Sequence, residues 1–289
     1  MKVKGQTMNI KSKNYTKEVF SYVVLILIAD FLCYPLVWMF FASFKTNNEI
    51  FLGVNLLPQE FNFNAYRDGW KGVARNNFTR FFTNSFLLVI PTALFTIISS
   101  TLVAYGFARF EFKGKKILFL VLLSTLMLPN SILVIPRYTI FRNLKALDSY
   151  NPFYLMAIFA CYPFFTYMLV QFIRGIPQEL DESARMDGCG SFRTLISILL
   201  PLLKPALFSA GLFQFLWTYN DYFNSLIYIN SVKKYTVSLA LRMFIDSDIV
   251  IVWKNVMAMS CLAVLPVVVL FFLCQRYFIE GIATTGLKG

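Results

Sequence analysis

The sequence contains no histidine, and acid is scarce: 15 Asp and Glu stand against 27 Lys and Arg in 289 residues. Without imidazole there is no His-dependent triad, no histidine-held metal and no imidazole proton relay. No Gly-x4-Gly-Lys-Ser/Thr phosphate loop occurs, so the chain binds no ATP through a Walker motif of its own. Cysteine is sparse and odd in number. Cys33, Cys161, Cys189, Cys261 and Cys274 have the spacing of neither a disulfide framework nor a metal site, and all but Cys189 fall in apolar blocks, where they are expected as small core residues. Charged residues are only 15% of the chain, whereas hydrophobic residues make up 57% and aromatics 18%. A soluble domain has no use for that much apolar surface, so the composition is that of a polytopic membrane protein. The formal charge of +12 is spread in small groups between apolar blocks, which argues against nucleic acid and for topology signals.

Residues 1–18 are polar and carry Lys2, Lys4, Lys11, Lys13 and Lys17. The apolar block that follows, 19–43, is longer than a signal-peptide core and is expected to span, with a kink at Pro35. Residues 44–83 form a sizeable extramembrane loop. Further spans are expected over 84–107, 117–135, 152–172, 202–229 and 256–278, the third broken by Pro129 and Pro136. The fold class is therefore an all-α integral membrane protein with six transmembrane helices, a cytoplasmic segment over 1–18 and a transmembrane domain over 19–289. An even number of spans puts both termini on one side. The N-terminal lysines, the turn with Arg109, Lys113, Lys115 and Lys116, and the stretch with Arg174, Arg185 and Arg193 share a face, which makes that face cytoplasmic. Arg67, Arg75, Lys233 and Lys234 on the other side lie in longer or acid-balanced loops and weigh less.

Between the fourth and fifth spans lies the one long polar stretch of the C-terminal half, Glu179 to Gly188, followed by Cys189 to Pro201. Pro177 suits a first helical position, and Glu179, Asp181 and Glu182 follow where the helix dipole favours acid. Gly188 and Gly190 are expected to supply the positive-φ positions that end this helix. Ser191 can then cap a second helix, whose apolar Phe192, Leu195, Ile196 and Leu199 recur at helical spacing. A short amphipathic helix tied by glycine to a second one that runs into a span is a lever with a face to dock; an ordinary connector is the alternative reading.

Glu182-Ser-Ala184, Gly188 after three residues, and Ile198-Leu-Leu-Pro201 after nine more resemble the EAA motif of the permease subunits of ABC importers, with Ser183 for the first alanine as a small-for-small departure. Ala104 to Phe110, Met127 to Pro136, Leu200 to Ala206, Trp217 to Asp221 and the tail Gly281 to Gly289 are similar, in order and spacing, to the second permease of carbohydrate importers of the maltose type. The resemblance implies a coupling helix seated on an ATPase, carried by Glu179, Glu182, Ser183, Ala184, Asp187, Gly188, Ile198 and Pro201. Glu182 and Ala184 would face the ATPase and Gly188 would make the turn. It implies that Gly286, Lys288 and Gly289 reach toward the ATPase dimer interface. The partners it implies are a second, different permease, two ATPase subunits, an extracytoplasmic sugar-binding protein and the bilayer of a bacterial cytoplasmic membrane. It places ATP and Mg on the ATPase and no cofactor in this chain.

A sugar path needs aromatic faces and polar groups for hydroxyls. The fifth expected span offers Gln214, Trp217, Tyr219, Asn220, Asp221 and Asn224. These read equally as an aromatic belt with a polar helix contact, although an acid within a span tends to face a cavity. Asp30 is the other acid in a span and is open to simple pairing across helices. The function expected is that of a non-catalytic permease subunit moving a sugar or oligosaccharide inward by alternating access. Rivals are an ABC importer for glycerol phosphate or a polyamine, a proton-coupled secondary carrier resting on Asp30 and Asp221, and, last, a membrane-embedded enzyme.

Overall fold

The computed structural model describes residues 15–72, 75–246 and 251–286. Among these, every regular element is helical. The chain opens with α1 (Tyr15–Ala42), then places two short helices, α2 (Asn47–Leu52) and α3 (Asn64–Trp70), in the segment expected to be a loop. Thr46 caps α2 in a capping box with Glu49, which satisfies amides that a six-residue helix cannot. Next come α4 (Phe78–Arg109), α5 (Lys115–Leu126), α6 (Asn130–Asn143), α7 (Asn151–Ile158) and α8 (Pro163–Arg174). The hinge region holds α9 (Glu179–Met186), α10 (Ser191–Thr194), a π turn (Leu195–Leu199) and α11 (Leu200–Leu202). The chain closes with α12 (Lys204–Tyr219), α13 (Tyr222–Tyr228), α14 (Val237–Asp246) and α15 (Trp253–Gly286).

Four stretches are long and apolar enough to cross a membrane alone: Glu18–Ala42, Phe78–Arg109, Asn151–Arg174 and Trp253–Gln275. Two more pass only as bent pairs: α5 with α6, turned by 106°, and Ser191–Leu202 with α12, turned by 79°. The total is thus four to six candidate spans.

The central element is α4, which packs against α7, α8, α12 and α14. Its buried face carries small hydroxylic and methyl side chains, Ser85, Thr92, Ala93, Thr96, Ser100, Thr101, Ala104 and Ala108, whereas Leu87, Ile90, Leu94, Ile98 and Leu102 point outward. Small residues let neighbouring backbones approach where apolar side chains gain nothing over lipid. Some of these hydroxyls are met within the helix, Thr92 donating to the Leu88 carbonyl and Thr101 to that of Ile97, whereas those of Thr96 and Ser100 have no partner among the described residues. Three buried apolar clusters lie along the bundle. One joins Phe78 and Phe81 to Phe244 and Met259; a second joins Leu88 to Phe153 and Tyr228; the third joins Ala104 and Tyr105 to Leu169, Ile173, Leu195 and Leu199 beside the hinge.

Several expectations are corrected. Pro136 sits inside α6 and does not break it, Pro35 lies within one continuous helix, and the large bend falls at Pro129, which stands at the N-cap of α6, where its missing N–H costs nothing. The segment 202–229 is not one helix: it bends at Leu203 and breaks again at Asn220 and Asp221. Asp30 is exposed on α1 and not buried. None of the five cysteines is fully buried, since Cys33 and Cys161 are exposed and the others half-buried, so they are not core residues.

At the end away from the hinge, Asp148 ties two loops together. Its carboxylate accepts from the backbone N–H of Asn230 and Ser231, from the Ser231 hydroxyl at 2.6 Å and from Lys234 Nζ at 3.0 Å. Lys234 also donates to the Asp148 carbonyl. The residue stands at φ +53°, a left-handed conformation that aspartate tolerates better than most side chains. Burial works to raise its carboxyl pKa, but the bonds from Ser231, Lys234 and Asn230 outweigh it and hold the group far below the usual carboxylate range. A depressed folded-state pKa means that the clasp contributes in full above the unfolded value of about 3.9 and is lost only as pH falls from there through the folded value. Asp148→Asn is therefore expected to lower stability by about 1–2 kcal/mol at pH 7, discounted for the partial exposure of the pair, and by progressively less in strong acid. Thermal unfolding of wild type and variant at pH 7 and below pH 4 checks this.

Candidate functional site

The hinge is built from α9 outward. Its inner face is Asp181 and Ala184, three residues apart and both buried; its outer face is Glu179, Glu182, Ser183 and Met186, all exposed. Helix α9 begins two residues after Pro177, not at it. It ends in a paired set of turn bonds: the N–H of Cys189 reaches the Ala184 carbonyl at 2.8 Å and that of Gly188 reaches Arg185 at 3.0 Å. That geometry needs a left-handed residue, supplied by Gly188 at φ +76°. Gly190 does not share this role. It is extended at φ −72° and is itself the N-cap of α10, so Ser191 is the first helical residue and not the cap.

Beyond Ser191 the helix loosens into the π turn, where the Leu200 N–H bonds the Leu195 carbonyl five residues back, immediately before Pro201, which has no N–H to offer. Leu195 and Leu199 face the core, but Phe192 and Ile196, expected beside them, stay 67% and 47% exposed. Ile198 is half-buried and Pro201 exposed. The bend at Leu203 then turns the chain into α12, so the second hinge helix lies across the bundle's end and does not run straight on.

What fixes the hinge to the bundle is the last turn of α4. Arg109 Nε lies 2.8 Å from Asp181 Oδ2 as an ion pair, the two side chains being 5% and 11% exposed, and among the described residues neither atom has a hydrogen-bond partner. Arg109 also donates Nη2–H to the Ile176 carbonyl at 2.9 Å, and one turn earlier Tyr105 donates its hydroxyl to the Ser191 carbonyl at 3.0 Å. Three points of the hinge are therefore held by two residues of Ala104 to Phe110. Sequence reasoning missed this clasp because it took Arg109 only as a topology signal. Ala184, expected to face a partner, is 3% exposed and packed inward; with Asp181 fixed to Arg109, a residue three places on shares its face.

A second site lies where α5 bends into α6 and α12 gives way to α13. A cavity of about 430 Å³ is lined by Asn130 and Arg137 of α6, Tyr162 to Phe164 at the start of α8, Gln214, Trp217 and Thr218 of α12, and Asp221 and Asn224. Trp217 is wrapped by Phe164 and Phe165, each with its ring centroid at 5.1 Å. Asp221 caps α13 by accepting from the Asn224 N–H at 3.0 Å. Gln214, Trp217, Asp221 and Asn224, all singled out from the sequence, line it together from either side of the α12–α13 break; Asn130 and Arg137 were missed, because only the 106° bend brings them there. Tyr219 and Asn220, expected on the same path, are turned away. They line a separate cavity with Ser238 and Ala263, where the Tyr219 hydroxyl donates to the Ala263 carbonyl at 2.9 Å.

Among the described residues no group of histidine, cysteine or acid has the arrangement of a metal site. Gly286 ends α15, while Lys288 and Gly289 of the expected ATPase-contacting tail lie outside the described residues.

Comparison with known proteins fits this geometry. The model of the binding-protein-dependent transport system inner membrane component family matches residues 10–284. The probable ABC transporter permease protein YurM of Bacillus subtilis is 30% identical, covering 99% of this chain and 95% of its own. The galactooligosaccharides transport system permease protein GanQ of the same organism is 28% identical over 97% of this chain and 99% of its own. A bacterial ABC transporter involved in import of the acidic polysaccharide alginate superposes with a TM-score of 0.81, at 21% identity, covering 94% of this chain and 100% of that one. The chain belongs to the binding-protein-dependent transport system inner membrane component family, and its all-helical fold is that of an ABC permease.

Proposed function

We propose, from that membership, that the chain is one of two permease subunits of an ATP-driven importer that moves a sugar or oligosaccharide into the cytoplasm by alternating access. Each bent pair counts as one span, giving six spans with both termini in the cytoplasm, residues 1–18 as a cytoplasmic segment and 19–289 as the transmembrane domain. ATP and Mg belong to two partner ATPase subunits, and an extracytoplasmic binding protein delivers the sugar.

The observation that carries the coupling reading is the two-sidedness of the hinge. Its inner face is locked to α4 through Arg109, while its outer face presents Glu182 beside Met186 and Phe192, which are 89% and 67% exposed. Large apolar side chains on a polar surface, next to an acid and held rigidly from behind, suit a partner's groove. In the proposed mechanism ATP closes the ATPase dimer, α9 moves with it, and the clasp passes that motion to α4. Trp217, Asp221 and Asn224 line the path. The sugar assignment leans on the relatives' names, GanQ among them.

The test is uptake into proteoliposomes that hold the whole complex, driven by ATP in one arm and by a proton gradient in the other. Sugar accumulation with ATP alone is expected. Accumulation of glycerol phosphate or a polyamine would replace the substrate, and uptake driven by the proton gradient without ATPase would replace the mechanism.

A further inference from the structure

Three features meet in the cavity at the two helix breaks. Gln214 is 1% exposed and lines the cavity, yet its Oε1 has no partner. Asn224 donates Nδ2–H to Asp221 Oδ2 at 2.7 Å; an ionised carboxylate only accepts, so this bond fixes the amide's orientation and leaves Oδ1, a buried acceptor without a donor. Among the described residues the cavity wall carries one cation, Arg137, and one carboxylate, Asp221, and no other Asp, Glu, Lys or Arg. Buried acceptors left unmet are costly and few in a native protein, so two of them at one cavity point to a ligand that brings donors.

Resting on the saccharide-permease reading above, we propose that this subunit itself holds one ring of the transported sugar in this cavity, and that the site selects an uncharged ring over a uronate or a sugar phosphate. The ring lies against Trp217, whose flat face suits the C–H side of a sugar. Hydroxyl protons go to Asp221 and to Asn224 Oδ1, and hydroxyl oxygens accept from Arg137, whose Nη1 already donates to Asn130 at 2.8 Å and is thereby aimed. An anionic ring would set a second negative charge beside Asp221, with Arg137 the only cation among the described residues of the wall to offset both. At about 430 Å³ the cavity is at the small end of the roughly 300–1,000 Å³ typical of ligand sites, which suits a ring and not a folded chain.

The test uses the assembled transporter with its binding protein in proteoliposomes, and the probes are radiolabelled neutral trisaccharides and oligouronates of matching length. Wild type is expected to take up a neutral probe and exclude the oligouronates. Asp221→Asn is expected to raise the KM for that neutral probe by roughly tenfold to a hundredfold, as for loss of a hydrogen bond to a charged acceptor. Trp217→Ala is expected to raise it as well, with Trp217→Phe recovering most of the loss. Asn220→Ala, on the other cavity, serves as the control and leaves KM unchanged. Asn224→Ala replaces Asp221→Asn if the latter fails to assemble with the ATPase. Unchanged KM in the cavity variants, or wild-type preference for oligouronates, overturns the proposal while leaving the importer reading intact. Failure of wild type to accumulate any saccharide overturns both.

Discussion

Arg109→Ala is expected to loosen the hinge from the bundle at a cost of about 3–5 kcal/mol, the range for leaving one member of a buried ion pair uncompensated. The substitution strands Asp181, whose side chain is 11% exposed, and removes the donor to the Ile176 carbonyl. The remaining tie from α4 is Tyr105 to Ser191, on the far side of the glycine turn. Because most of the cost is the charge left behind, Arg109→Ala with Asp181→Ala is expected to recover a large part of it. A double-mutant cycle on thermal unfolding measures the coupling directly. Additive losses would mean that the two side chains are neighbours without being partners.

Substituting Met186 is expected to do the opposite: leave stability alone and abolish transport. At 89% exposure Met186 makes little contact within this chain, so Met186→Asp belongs with surface changes, which fall within about 0.5 kcal/mol. In the complex the same residue is proposed to fill a groove on the ATPase. Truncation of such an anchor costs about 2 kcal/mol or more, close to a thirtyfold loss of affinity, and a buried carboxylate costs further. The expected result is a purified permease of wild-type unfolding temperature that retains little ATPase and transports at less than about a tenth of the wild-type rate. A stable variant with full transport would show that the outer face of α9 is ordinary solvent-facing surface.

Features set by local chemistry were legible in the sequence. The dipole-favoured acids of α9 and its termination at Gly188 follow from spacings within one or two turns, and Gln214, Trp217, Asp221 and Asn224 stand out by side-chain type alone. What was not legible depended on distant partners. Gly188 and Gly190 look alike in sequence, and only the bonds from Cys189 and Gly188 to the helix end decide which becomes left-handed. Arg109 and Asp181 each have a local explanation, as a topology signal and a first-turn acid, so nothing local announces their meeting. Likewise Arg137 enters the cavity because α6 turns sharply from α5, and a proline in an apolar run signals a break without its angle. The exposed Phe192 was misplaced for a related reason: helical periodicity presumes an even turn, and a π turn begins three residues later.

The central claim is that α9 is the docking element for an ATPase, and thiol accessibility at position 186 tests it most directly. Met186→Cys, in a background where all five native cysteines are replaced by serine, would be treated with a membrane-impermeant maleimide in inside-out vesicles. The account predicts rapid labelling when the permeases are made without the ATPase and protection when the ATPase is bound, with none in sealed right-side-out vesicles. Labelling from the outside, or equal labelling with and without bound ATPase, would contradict it.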